Sequence, residues 1–138
     1  MNTASLNLEK LAAERAQAMV SAAQGEKKVE TLERLATKAL GVLQEQGVYA
    51  LILFLFSRTG DEATAAQWIR TELFAAWQAL PGSPREVEDL SPQIRPERAL
   101  EIFSQHLLGN LRALLLLRDL YEQTLIYARY AAKAAKGG

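Results

Sequence analysis

Nine consecutive apolar residues, Val48 to Phe56, constrain the fold of this chain more than any other feature. On periodicity alone such a run fits a buried strand or a buried helix. A strand needs neighbours, and the chain contains no second run of the kind, so the segment is expected to be helical. It is far short of the about 20 apolar residues that cross a membrane. A helix this apolar belongs at the centre of a core or partly against another chain.

The flanking sequence is helical by spacing. Leu11, Ala12, Ala16, Met19, Val20 and Ala23 recur at three-four intervals from Leu8, and Gly25 supplies a stop. A second stripe, Val29, Leu32, Leu35, Ala36, Ala39, Leu40 and Leu43, begins with Glu26, Glu30 and Glu33, where the helix dipole favours anions, and is ended or bent by Gly47. Beyond the apolar run, Thr59-Gly60-Asp61 predicts a turn with Asp61 as N-cap. Ala65, Trp68, Ile69, Leu73, Ala76, Trp77 and Leu80 then form a stripe that stops at Pro81-Gly82. All four prolines fall within residues 81–96, beside Glu86, Glu88 and Asp89, which predicts one long solvated loop; Ser83 and Glu86 have the spacing of a capping box for a short turn inside it. Helical spacing resumes at Glu97 through Ala99, Leu100, Phe103 and Leu107 and runs on to about Ala135, either broken at Gly109-Asn110 or continuous. No repeat of 20 to 50 residues is present. The expected fold is all-α, a single compact bundle of five to six helices over residues 1–138.

Composition then removes function classes. With 138 residues, 49% of them apolar, the chain can bury a core unaided. It has no cysteine, which excludes disulfides, thiolate metal sites and cysteine nucleophiles. Its one histidine, His106, lacks the partners of a metal cluster and is expected at the core margin with a hydrogen-bond partner. Glu86, Glu88 and Asp89 lack the spacing of a calcium loop, and no phosphate-cradling glycine motif occurs. No catalytic residue, metal or cofactor is therefore expected. Sixteen Lys and Arg balance sixteen Asp and Glu, so nucleic-acid contact has to be local rather than steered by net charge. Met1 to Lys10 is too polar for a signal peptide, and a soluble, cytoplasmic protein with no membrane partner is expected.

One local surplus exists. At about 100° per residue, Arg118, Arg129, Lys133 and Lys136 fall within an arc of roughly 60° on the last helix. Such a stripe suits backbone phosphates, with Tyr127 and Tyr130 placed to stack on unpaired bases. The alternative is a solvated face whose cations complement the helix C-terminus. Trp68 and Trp77, nine residues apart, project to opposite sides of their helix; at least one belongs at a margin, where it would suit a protein interface.

Several stretches together resemble a known family. Arg15-Ala16 followed by Val20, Leu40-Gly41-Val42-Leu43 leading to Gln46-Gly47-Val48, Ala50-Leu51 with Phe54, the turn Ser57-Arg58-Thr59-Gly60, and Arg118-Asp119-Leu120 followed by Arg129-Tyr130-Ala131 are similar to the small helical subunit of the type III-B CRISPR RNA-guided effector, the Cmr complex. The chain departs from that pattern at Gly41, where the family usually has proline, at Ile126, where it has a nearby tryptophan, and at Ala128-Arg129, where it has a basic pair. The small helical subunit of the neighbouring type III-A complex is the alternative identity that this resemblance leaves open. The resemblance implies a non-catalytic subunit that stacks in several copies beside a backbone filament, with other effector subunits, guide RNA and single-stranded target RNA as partners. Arg118, Arg129, Lys133 and Lys136 are then the phosphate contacts, joined by Arg15, Lys38 and Arg58. A helical adaptor or homo-oligomer that binds only protein is the rival expectation.

Overall fold

The computed structural model describes residues 7–137, so the first six residues of the polar N-terminal stretch lie outside it. Six helices follow one another: α1 (Leu8–Ala22), α2 (Glu26–Gln46), α3 (Val48–Phe56), α4 (Asp61–Gln78), α5 (Pro96–Leu107) and α6 (Leu111–Gly137), with one short helical turn at Arg85–Asp89 between α4 and α5. No strand occurs among the described residues, and no helix is long and apolar enough to cross a membrane. The fold is an all-α bundle.

The longest helix organises the rest. α6 lies along both α1 and α2, and α4 closes the other side by packing on α1, α2 and α3. Lys136 pairs with Glu33 and Gln44 bonds Glu122, so α6 runs antiparallel to α2. Buried Leu117, Leu120, Tyr121, Leu125, Ala128 and Ala132 share one side of α6 and face a core that includes Leu32, Leu35, Leu43, Leu51, Ile52, Ile69 and Phe103.

The apolar run is helical, though its sides are not equivalent. Val48, Leu51, Ile52 and Leu55 are buried, while Tyr49 and Leu53 remain exposed. Its junction with α2 is a single residue, Gly47, whose φ of 96° lets the chain turn without a Cβ penalty.

Two local expectations change. Asp61 is the first residue of α4 rather than its cap; Gly60 holds the cap position and no side chain caps the helix. The Ser83–Glu86 capping box does not form either, although the short turn does, because Glu86 reaches across the chain to His106 and Arg98. The loop at 81–96 is consequently not simply solvated. Arg98 of α5 bonds Asp89 at 2.9 Å, and Gln78 donates to the carbonyls of Val87 and Leu90, which clasps the loop against both neighbouring helices. The chain breaks at Gly109-Asn110: Gly109 has a φ of 100°, and Asn110 Oδ1 accepts from the Ala113 N–H to start α6.

Candidate nucleic-acid interface

The basic stripe of α6 lies beside the acidic edge of α2, and this packing divides its members. Lys136 Nζ donates to Glu33 Oε1 at 2.7 Å, and Arg118 faces Glu122 at 3.7 Å on its own helix. The Lys136 bond, helped by the nearby charges of Lys133 and Arg129, holds the Glu33 carboxyl below its ordinary range and raises Lys136 in turn. Arg129 and Lys133 have no ion-pair partner among the described residues. Arg129 lies 5.9 Å from the centre of the Tyr130 ring, and Tyr130 is 62% exposed. Tyr127 differs from the expected stacking residue: it is half-buried and donates its hydroxyl to Glu9 at 3.0 Å.

The other basic candidates are committed within the fold. Arg15 bonds Glu72 at 2.9 Å between α1 and α4, with its Nε buried and unpartnered; burial raises the Glu72 carboxyl more than Arg15 lowers it. Lys38, Arg58 and Arg34 converge on Glu62, with Lys38 closest at 2.8 Å, and the Lys38 bond is the main cause of the depressed Glu62 ionisation. Arg58 also lies 4.2 Å over the Phe54 ring and donates to the Phe54 carbonyl. Lys38 nevertheless meets the α6 stripe. Glu30, Glu33, Arg34, Thr37, Lys38 and Lys136 line one groove of about 410 Å³. Arg15 and Arg58 do not line it.

Of the two tryptophans, only Trp68 is placed at a margin. Trp77 is buried, with its ring 4.7 Å from that of Phe103, so it offers no surface to a partner. Trp68 is half-buried and, with Lys27, Lys28, Thr31, Asp61 and Thr64, lines a second groove of about 430 Å³ between α2 and α4. Sequence reasoning did not single out Lys27, Lys28 or Arg34. The adjacent lysines after Gly25 are a visible signal, but only the packing of α2 on α4 sets them opposite an indole.

His106 is at the core margin as expected, with Nε2 2.7 Å from Glu86 Oε1. No group of three or more metal-ligating side chains occurs among the described residues. Comparison with protein-family models, curated proteins and solved structures returns no match.

Proposed function

We propose that this chain is a non-catalytic, RNA-contacting structural subunit of a type III CRISPR effector, stacking beside the backbone subunits and holding guide or target RNA through local charge. The family assignment rests on the resemblance at Arg15-Ala16, Leu40 to Val48, Ser57 to Gly60 and Arg118 to Ala131. One observation carries the RNA reading: Arg129, Tyr130 and Lys133 share the open edge of α6, two cations with no ion-pair partner among the described residues beside a largely exposed ring. A guanidinium and an ammonium neutralise successive phosphates, and the phenol ring offers a base a stacking surface. The half-engaged Lys136 and Arg118 flank them on the same helix.

The test is to purify the tagged chain from its host at low salt and identify the co-purifying proteins and RNA, with Arg129→Glu/Lys133→Glu in parallel. Short guide RNAs and large RNA-binding subunits with the wild type, and a loss of RNA from the variant assembly, support the reading. Protein partners without RNA, or RNA retention equal in the variant, would replace it with the protein-only adaptor.

A further inference from the structure

Exposed leucines gather at the other end of α6. Leu108, Leu111, Leu115 and Leu116 are 56%, 67%, 49% and 39% exposed within nine residues of chain. Large apolar side chains gathered in this way mark an interaction face more often than a scatter of single leucines does. They are accompanied by two opposite charges, Arg112 and Asp119, both exposed and neither in an ion pair among the described residues.

The spacing of these charges identifies the occupant. At about 100° per residue, Arg112, Leu115, Leu116 and Asp119 cover an arc of roughly 100°, with the two charges on its midline and a leucine to each side. The i, i+3, i+4, i+7 pattern is one heptad of a helix-pairing seam. Its midpoint falls between Leu115 and Leu116. A second copy of α6, laid antiparallel about a two-fold axis through that midpoint, brings Arg112 of each chain opposite Asp119 of the other. The leucines meet at the axis. A parallel arrangement instead sets arginine against arginine and aspartate against aspartate, which like-charge repulsion disfavours.

We propose that the exposed start of α6 pairs with the same face of a second copy of this chain, forming a two-fold dimer sealed by Leu115 and Leu116 and registered by reciprocal Arg112–Asp119 contacts. Leu111, on the Leu115 side of the helix, widens the apolar contact on that flank. A two-fold contact closes on itself, whereas copies stacked along a filament use head-to-tail contacts. The dimer is therefore a property of the free chain and does not rest on the RNA reading. A one-heptad seam is short, so the dimer is concentration-dependent.

Sedimentation of the RNA-free chain over a range of concentrations reads this directly, the expected limit being twice the 15.3 kDa of one chain. Arg112→Asp and Asp119→Arg should each weaken association by roughly tenfold or more, since each opposes like charges twice per dimer. The double reversal Arg112→Asp/Asp119→Arg should restore it. Because the chain has no cysteine, Leu115→Cys should form a disulfide dimer on mild oxidation, while Ala134→Cys, on the same helix but far from the axis, should not. Leu116→Cys is the second probe should Leu115→Cys lose its helical circular dichroism. A chain that stays monomeric at every concentration overturns the proposal. So does a dimer that ignores the single reversals, fails to recover with the double one, or cross-links equally through residue 134.

Discussion

Tyr121 is wholly buried in the middle of α6, yet its hydroxyl has a partner, donating to the Leu73 carbonyl of α4 at 2.9 Å. Replacing it with phenylalanine keeps the ring and removes one neutral hydrogen bond, so Tyr121→Phe should cost about 1 kcal/mol in urea unfolding at neutral pH. Burial also pushes the phenol well above its ordinary value of 10.0. Above pH 10.0 the unfolded tyrosine ionises and the folded one does not, so stability falls as pH rises; the phenylalanine variant should lose that part of the alkaline decline. Glu62 works in the opposite direction. Its carboxyl, held down by Lys38, Arg58 and Arg34, favours the fold while ionised, and that contribution disappears as pH drops below the ordinary value of 4.5 toward the lowered one. Glu62→Gln should therefore cost roughly 1 kcal/mol at pH 7, as expected for a partly exposed network, and flatten the acid limb of the stability curve. An acid limb as steep in the variant as in the parent would remove Glu62 from that role.

At the scale of the helices, Gly109 makes two elements out of what spacing alone allows to be one. Its φ of 100° is unfavourable for any residue with a Cβ, although the space around it is open. Gly109→Ala should accordingly cost about 1 to 2 kcal/mol through backbone strain alone, with no loss of side-chain packing, and thermal unfolding would measure it. The helices themselves were legible because each carries an apolar stripe at three-four spacing, and α3 was legible by elimination, since a lone strand has nothing to pair with. What spacing did not disclose is which faces meet. Trp68 and Trp77 project to opposite sides of α4 and spacing does not say which one is buried; only the packing of α5 on α3 and α6 places Phe103 against Trp77. Glu86 and His106 are twenty residues apart, joined by the path of a proline-rich loop that periodicity does not describe. The same holds at the candidate interface. The α6 stripe was visible as a column of cations, but the acidic edge of α2 beside it, which engages Lys136 and leaves Arg129 and Lys133, follows from the antiparallel pairing of two helices distant in sequence.

For the molecule as a whole, sixteen positive and sixteen negative residues leave no net field at neutral pH, so any affinity for RNA comes from cations that the fold leaves unmatched. Arg15, Lys38 and Arg58 are engaged by Glu72 and Glu62, whereas Arg129 and Lys133 have no such partner among the described residues, and under the proposed RNA reading Lys136 would exchange the half-buried Glu33 carboxylate for a phosphate. Three phosphate contacts on a single strand predict that log K for the isolated chain falls against log salt with a slope of about −2. Arg129→Gln should lower the magnitude of that slope by roughly 0.7, the release from one phosphate, while Arg58→Gln should leave it unchanged because that guanidinium is already held by Glu62 and Phe54. Fluorescence anisotropy with a labelled single-stranded RNA at several salt concentrations measures both slopes. The two variants separate local charge from bulk charge: each removes a cation from a neutral protein, so a protein that bound RNA through its overall field would respond equally to both. An equal response would place the contact away from α6; a response confined to Arg129 places it on the open edge of that helix.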